Sequence, residues 1–508
     1  MAFDWALETA LKEAFMEAGF SVVNLGVIPT PYIPCYMLAN KIRAGAVLTA
    51  SHNPSNQNGI KFFLDSKKLL SDGENGDYIL SAYMVEEALN GFKSSGTCDV
   101  CENVDYTDYA ADFLTGIVPS DFADIVKNSV IYVDTANGAW SVTAEKYFSK
   151  ANIKVNLLNH KTEGFNINRN CGVAEIEGHT CFSAGEIESS PEVVQKVYAE
   201  GKNASCNVYG IAVDGDGDRG FAMKYDKTSD SVIVYDGDAE AYLVSELLGL
   251  KDKKAVFTIE SDIMAGLEMQ RKFNLEPVMV DVGDKWICNQ NANELALGFE
   301  SSGHFILPCK VEGTNELLLS GNGLLTALLS VAALEKGIVP FERGFSETFY
   351  TYYVNKNLFR YGSELWKQDE VTICEGFKSS GFEMQKVTMK DFNVLAFYAK
   401  ENDKVVGLVF IRNSGTEDKN AVYLKCCKGF EKRLLPVVEK IVSVHKDCMR
   451  DVSREEVKCE NEILDLIKKN GSVKAEQLSF STGVAVSAFH ALVKEKVICC
   501  KSDEYFLL

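Results

Sequence analysis

Three aspartates alternating with glycines, Asp214-Gly215-Asp216-Gly217-Asp218, run straight out of the apolar segment Ile211-Ala212-Val213 and end in Arg219. An apolar run that stops so abruptly reads as a buried strand whose carboxyl end opens into a loop. Alternate glycines let such a loop curl, so that its carboxylates converge on one cation. Hard oxygen ligands of this kind select Mg²⁺, which keeps open positions for water or phosphate oxygens. The calcium loop of an EF-hand is excluded, because its glycine would fall on Arg219 and its bidentate glutamate on Tyr225. A solvated acidic turn would use the same residues, but it does not ordinarily follow an apolar strand.

Around this loop the chain alternates helical and strand patterns, which predicts α/β layers. A helix is expected from Asp4 to Ala18, with Leu7, Leu11 and Phe15 on one stripe, then a strand at Val22 to Leu25. Further strands are expected at Ala46 to Leu48, Val130 to Val133 and Ile211 to Val213. With 508 residues the chain is too long for one core. Five segments are expected: 1–118, 119–230, 231–340, 341–447 and a distinct tail, 448–508. The tail reads as an amphipathic helix with Ile463, Leu464 and Ile467, and a second with Val486, Phe489, His490 and Val493. Two short strands, Val497 to Cys500 and Tyr505 to Leu508, complete a small winged-helix-like module. Its acidic and basic side chains nearly balance, so a protein-contact or packing role is expected of it rather than DNA binding.

The net charge of −20 argues against nucleic acid or an anionic membrane as partner. It does not exclude a small anionic substrate, since charges beyond about 8 Å are largely screened. The longest apolar span, Gly323 to Leu334, is short of the ~20 residues a membrane helix needs. Asp4 stands where a secretory leader carries positive charge, and the 15 cysteines show no framework spacing, so a cytoplasmic protein is expected. Cys98 and Cys101 form a CxxC with no second pair, read as coincidence in a polar loop.

Three further loops carry chemistry. Ser51, in Thr49-Ala50-Ser51-His52-Asn53-Pro54, follows the apolar run Ala46-Val47-Leu48, the place where α/β folds put reactive groups. A serine is a poor nucleophile alone, but its phosphoester beside Mg²⁺ is a good donor, with His52, Asn53 and Lys61 at hand to hold oxygens. By itself Ser-His-Asn-Pro is equally a plain turn. Arg412, Ser414, Gly415 and Thr416 form an anion cradle of guanidinium fork, hydroxyls and backbone N–H groups. A turn capping a following helix would use the same residues. Glu300, Ser302 and His304 offer acceptors and a titratable ring that can grip sugar hydroxyls and relay a proton.

In order and spacing these four loops resemble the α-D-phosphohexomutase superfamily, in the branch of bacterial phosphomannomutase/phosphoglucomutases. Val27-Ile28-Pro29-Thr30-Pro31, Val282-Gly283-Asp284-Lys285 and Gly323 to Leu328 are lesser echoes, and the resemblance spans residues 1 to 446. It implies three successive α/β domains and an α+β fourth, one loop from each facing a central cleft, in a monomer or weak dimer. It implies an isomerase that interconverts hexose 1-phosphate and hexose 6-phosphate, of mannose or glucose, through phospho-Ser51 and a bound hexose 1,6-bisphosphate. Ser51, Asp214, Asp216 and Asp218 would hold Mg²⁺. His52, Lys61 and His304 would serve catalysis, the last two handling the hydroxyl proton. Arg219, Lys285, Glu300, Ser302, His304 and the Arg412 loop would bind the phosphosugar. Phosphoglucosamine mutase is the alternative, because Asn166-Ile167-Asn168 followed by Cys171-Gly172 is similar to that pattern. A catalytically impaired binding or regulatory paralogue is a third reading.

The sequence also departs from the family. Members usually begin with a strand and a glycine-rich turn carrying an arginine, whereas this sequence opens on the helix that follows. An N-terminally shortened first sheet is therefore expected, with an unpaired edge, an under-covered Leu7–Leu11–Phe15 stripe and a poorly soluble or weakly active product. Asp418 replaces the usual proline after Gly-Thr-Glu, and Asn322 stands where aspartate is common.

Overall fold

The structure, a computed structural model, describes residues 5–53, 58–70, 97–162, 166–353, 358–391, 393–414, 419–448, 454–494, 497–501 and 504–507. Pro54, Gly415, Thr416, Glu417, Asp418 and Leu508 lie outside these residues. Two compact units are formed: Met1–Ser261 with Ala265–Glu342, and Asp262–Met264 with Arg343–Leu508.

At the centre of the first unit is a six-stranded sheet in the order Asn156–Leu158, Val130–Asp134, Val208–Val213, Gly220–Asp226, Ser231–Tyr235, Cys181–Ser183. Val130–Asp134 runs parallel to both its neighbours, and the remaining pairs are antiparallel. Every residue of Val208–Val213 is buried, which is why its sequence is an unbroken apolar run. Side chains alternate across it. Val208 and Ala212 share a core with Val193, Val194 and Val197 of the helix Glu192–Asn203. Tyr209 points the other way and donates its hydroxyl to Glu335 of the helix Gly323–Glu335 at 2.5 Å. That helix, the longest apolar span of the sequence, is buried over Gly323 to Leu334. Among the described residues no helix is long and apolar enough to cross a membrane.

Ser231–Tyr235 pairs with Gly220–Asp226 from Ala222↔Tyr235 to Asp226↔Ser231. The division expected between 230 and 231 therefore falls inside a hairpin. Alternation of patterns says nothing of sheet membership, so the sequence could not show that this strand turns back. A second sheet has the order Glu276–Val280, Lys254–Thr258, Leu295–Phe299, Phe305–Ile306, with its first three strands parallel. The loops carrying Lys285 and Glu300 follow its strands Glu276–Val280 and Leu295–Phe299.

Towards the N-terminus, the helix Trp5–Glu17 leaves Leu7, Leu11 and Phe15 half-buried. Val22–Asn24 pairs in parallel with Cys101–Asn103. A separate antiparallel sheet joins Ala44–Leu48, Ile60–Leu64 and Lys67–Lys68. Ser51 thus lies between antiparallel strands, and the first of these is only half-buried, with Val47 its one buried residue. The strand expected before the Ser51 loop is present, as a member of this antiparallel sheet. Its apolar run is covered on one face only, by Met37 and Phe63.

The second unit has a five-stranded, wholly antiparallel sheet, in the order Phe345–Tyr353, Lys419–Cys426, Lys404–Asn413, Leu395–Glu401, Glu383–Val387. Helices Glu364–Ser379 and Glu431–Cys448 share its core through Trp366, Ile373, Phe377, Val438 and Ile441. The tail helices Arg454–Asn470 and Thr482–Lys494 enclose a small core of their own with the hairpin Ile498–Lys501/Glu504–Leu507.

The helix Gly323–Glu335 begins hard against the aspartate loop: a Cβ on Gly323 would lie 1.9 Å from the Arg219 carbonyl oxygen. Gly323→Ala must push one backbone off another, and overpacking of this kind costs about 1–3 kcal/mol. Denaturant unfolding is expected to show that loss, whereas Gly116→Ala, with open space around it, is expected to be neutral or mildly stabilising. Equal midpoints for Gly323→Ala and the parent chain would contradict the close approach.

Candidate active site

The aspartate loop is the tight turn between Val208–Val213 and Gly220–Asp226. Asp214 Oδ1 accepts from the backbone N–H groups of Gly217 at 3.0 Å and Arg219 at 3.1 Å, which closes the turn. Trp140 donates its indole N–H to the Gly217 carbonyl at 3.0 Å. Thr30 donates its hydroxyl to Asp216 Oδ2 at 2.8 Å and its backbone N–H to the Asp216 carbonyl at 2.9 Å. Asp214, Asp216 and Asp218 are 0–1% exposed, and each offers an oxygen within 4.8 Å of the others.

Ser51 closes on this cluster. Its backbone is left-handed, with φ 53°, and its N–H donates to Thr49 Oγ1 at 2.8 Å. Ser51 Oγ donates to Asp214 Oδ2 at 2.8 Å. Lys61 Nζ lies 2.7 Å from Asp216 Oδ2 and 3.0 Å from Asp218 Oδ2. Lys68, only 10% exposed, lies 3.0 Å from Asp218 Oδ2 and pairs closely with Asp284. His304 spans Asp218 Oδ1, 3.0 Å from its Nε2, and Glu300 Oε2, 2.7 Å from its Nδ1. Glu300 Oε1 in turn accepts the Gly283 N–H at 2.9 Å.

Electrostatics follow from this crowding. Burial pushes Asp214 up to about 7, helped by Asp216 and Asp218. Burial also penalises the Asp218 carboxylate, yet Lys61, Lys68 and His304 outweigh it and hold Asp218 well below the usual range. Burial opposes charge on His304, but Asp218 and Asp284 raise it to about 10, so the ring is an imidazolium at neutral pH. His52 goes the other way: burial, then Arg219 and His304, lower it to about 4 and leave it neutral.

Of the residues singled out in the sequence, Ser51, Lys61, Asp214, Asp216, Asp218, Glu300 and His304 are brought into one bonded cluster. Arg219 leads out of the same loop to Glu177, 3.6 Å away. Ser302 is half-buried in the Glu300–His304 turn, and Lys285 lies in the short helix Asp284–Cys288. Arg412 and Ser414 belong to the second unit. Arg412 pairs opposite Ala421, and Ser414 N–H donates to the Lys419 carbonyl at 2.8 Å. The segment therefore joins two strands of a hairpin and caps no helix, while Gly415 and Thr416 lie outside the described residues. Lys68 was not foreseen. The only signal was Lys67-Lys68 beside an apolar strand, which reads as a solvated edge.

The donor set fits a hard divalent cation. It consists of carboxylate oxygens beside a serine oxygen, and the buried Asp216 Oδ1 has no hydrogen-bond partner. Asp218, Asp284 and His304 also converge within 4.8 Å, but there the Lys68 ammonium already holds both carboxylates. A cation at the aspartate loop requires Asp214 ionised. Mg²⁺ affinity is therefore expected to rise with pH through about 7 and to level off only above it, with that slope flattened in Asp214→Asn. Without metal the sign for stability is opposite. Between the ordinary carboxylate value and about 7 the folded chain keeps a proton that the unfolded chain has lost. This group's contribution therefore falls as pH climbs through that window. Calorimetric titration checks the first trend, and an unchanged slope in Asp214→Asn would refute it.

The chain is similar to known proteins over most of its length. The family described as phosphoglucomutase/phosphomannomutase, alpha/beta/alpha domain I, matches residues 5–76, and its domain III matches residues 236–352. A phosphoglucosamine mutase of Alkaliphilus oremlandii is 30% identical over 432 residues, 82% of each chain. That of Limosilactobacillus reuteri is 28% identical over 417 residues, 81% of this chain and 80% of its own. The fold is similar to a phosphoglucomutase/phosphomannomutase family protein of Burkholderia thailandensis, with TM-score 0.60, 18% identity and 87% and 86% of the two chains covered. It is also similar to N-acetylphosphoglucosamine mutase of Aspergillus fumigatus, solved with GlcNAc-6P and magnesium, with TM-score 0.53, 15% identity and 88% and 99% covered. Identity of 30% sustained over 82% of both chains, together with the two matched domains, places this protein in the phosphoglucomutase/phosphomannomutase family, as an enzyme of the α-D-phosphohexomutase superfamily.

Proposed function

We propose that this phosphohexomutase carries the phosphoryl group on Ser51, works with Mg²⁺ at Asp214, Asp216 and Asp218, and interconverts the 1- and 6-phosphates of a hexosamine. The observation that carries the first part is the 2.8 Å contact of Ser51 Oγ with Asp214, inside a buried carboxylate cluster. Two facts favour a hexosamine: the curated relatives reported above are named phosphoglucosamine mutases, and Asn166-Ile167-Asn168 with Cys171-Gly172 is present. Glucose or mannose phosphate is the second reading, favoured by the family name of the matched domains.

In this mechanism Ser51 is phosphorylated at rest. A hydroxyl oxygen of the bound hexose monophosphate attacks that phosphorus, the bond to Ser51 Oγ breaks, and the hydroxyl proton is passed on while the departing Ser51 Oγ takes up one and becomes a hydroxyl. The resulting hexose 1,6-bisphosphate turns over and returns its other phosphoryl group to Ser51 Oγ. The metal, when bound, neutralises charge on the transferring oxygens. Arg219 and Lys285 are assigned to substrate oxygens, Ser302 with Glu300 to sugar hydroxyls, and the Arg412 segment to the phosphate that stays put. His304 and Lys61 are both cations in the structure, each with a proton to give. Burial works against the Lys61 charge, but Asp216 and Asp218 raise its pKa above the ordinary lysine value. Taking a proton from the hydroxyl therefore requires the accepting group first to give up its own, which the departing Ser51 Oγ can receive. His52, held neutral, is assigned to hydrogen bonding at the phosphoserine rather than to charge. The cysteines described are all free thiols, which suits the cytoplasmic setting we assign.

Ser51→Ala is expected to abolish turnover with the fold intact, and intact-mass measurement to find one phosphate on the parent chain and none on the variant. In a coupled assay glucosamine 1-phosphate is expected to give the highest kcat/KM, ahead of glucose 1-phosphate and mannose 1-phosphate. Undiminished turnover of Ser51→Ala removes the carrier role, and a reversed sugar order removes the hexosamine assignment. Arg412→Ala is expected to raise KM about tenfold or more, the loss of a charge-assisted contact of about 1.5–3 kcal/mol. Ser51 should still accept phosphate from glucose 1,6-bisphosphate in that variant.

A further inference from the structure

Asn168 stands in the segment whose pattern is similar to that of phosphoglucosamine mutases, yet it is turned away from solvent and towards the Ser51 loop. It is 7% exposed, and its own backbone is left-handed, with φ 55°. Its N–H donates to the Ala136 carbonyl at 3.0 Å, and four residues on Gly172 N–H donates to Asp134 Oδ2 at 3.1 Å. The segment is thereby fastened to the end of the strand Val130–Asp134. From that anchor the Asn168 side-chain amide donates to two carbonyls of the Ser51 loop, Ser51 at 2.8 Å and Asn53 at 3.1 Å. The same place is tight against the aspartate loop: a Cβ on Gly215 would lie 2.8 Å from the Ser51 carbonyl oxygen and 2.9 Å from Asn168 Nδ2.

We infer that Asn168 is a positioning residue for the phosphoryl carrier: its amide clamps the Ser51 and Asn53 carbonyls and so holds Ser51 in the left-handed backbone that puts Oγ on Asp214. The inference rests on the carrier role of Ser51. Left-handed backbone is unfavourable for serine, and contacts hold it there from both sides: Thr49 Oγ1 accepts its N–H within the loop, and Asn168 donates to its carbonyl from outside. One –NH₂ group with two hydrogens on two carbonyls uses all the donors this side chain has, which leaves none to bind a sugar. Asn168 Oδ1 is buried and without a hydrogen-bond partner, so what the structure uses is the donor end. Transfer needs the phosphorus, the incoming oxygen and Ser51 Oγ in line, and a shift of about 1 Å can lower a rate about 100-fold.

Two variants test this. Asn168→Asp keeps the shape and the tolerance for positive φ but turns a second carboxylate-like oxygen on the two carbonyls. Asn168→Gly keeps the backbone freedom and removes the amide. Both are expected to lower kcat about 100-fold with KM for the sugar phosphate little changed. The fraction of chains phosphorylated by glucose 1,6-bisphosphate should fall, and amide exchange over residues 49–53 should quicken while residues 323–335 stay protected. Wild-type kcat in Asn168→Asp overturns the inference, because donation would then be dispensable. A change confined to KM overturns it in favour of a sugar contact, and lost protection throughout residues 323–335 overturns it in favour of a general role in folding. Full turnover of Ser51→Ala is a different outcome and counts against the carrier role itself.

Discussion

Three carboxylates buried within reach of one another are the constraint on which the first unit depends. Taking a single charge out of water costs several kcal/mol, and like charges at this distance add to it. The chain offsets that cost with cations from separate stretches of sequence. Lys61 comes from Ile60–Leu64, Lys68 from Lys67–Lys68 and His304 from the turn after Leu295–Phe299. Asp218 shows the arrangement most fully, with two ammonium groups on Oδ2 and an imidazolium on Oδ1. The charges then alternate along a path, Asp216–Lys61–Asp218–Lys68–Asp284. Breaking one link leaves a buried charge unpaired. The path therefore ties the Ser51 sheet, the six-stranded sheet and the short helix Asp284–Cys288 together at one point.

Close backbone approach is the second condition. The turn after Val130–Asp134 meets the aspartate loop so tightly that a Cβ on Gly138 would lie 2.2 Å from the Gly215 carbonyl oxygen. Ala139 N–H donates to that same carbonyl at 2.8 Å. The loop is thus gripped through its backbone from outside, by Ala139, Trp140 and Thr30, while its side chains turn to Ser51 and the lysines. That division lets the carboxylates serve a ligand without carrying the loop's own conformation, except for Asp214 Oδ1, which closes the turn.

Much of this was legible before the structure because the strongest constraints are local. An aspartate–glycine alternation at the end of an apolar strand has few physical readings, and the loop lies where that pattern puts it. Relations between distant segments were not legible. Lys68 sits in a lysine pair on a two-residue strand, and only the fold discloses that it is buried between Asp218 and Asp284. The apolar run before Ser51 marked a strand, but neither its antiparallel pairing with Ile60–Leu64 nor the burial of Val47 alone. Residues 231–235 look like the start of a new segment, since strand propensity does not encode the partner. Arg412-Asn413-Ser414 has the composition of a cap, and here Asn413 instead donates to the Phe359 carbonyl at 2.7 Å and accepts from Asn420. Short polar side chains satisfy hairpin ends and helix ends alike.

The geometry also couples Lys61 to any cation at the cluster. The oxygens that Lys61 holds, Asp216 Oδ2 and Asp218 Oδ2, belong to carboxylates that a divalent cation would use. One oxygen cannot give its full charge to two cations, so occupancy by one weakens the hold of the other. The effect is reciprocal: a pull on Lys61 away from the aspartates would favour a cation among them, and a cation there would free Lys61. Lys68 is not in that exchange to the same degree, because Asp284 keeps it in place when Asp218 is claimed elsewhere. The two lysines look alike in sequence but hold different positions. Lys61 would share its carboxylates with a bound cation, whereas Lys68 has Asp284 as a second partner that keeps the buried charge balanced.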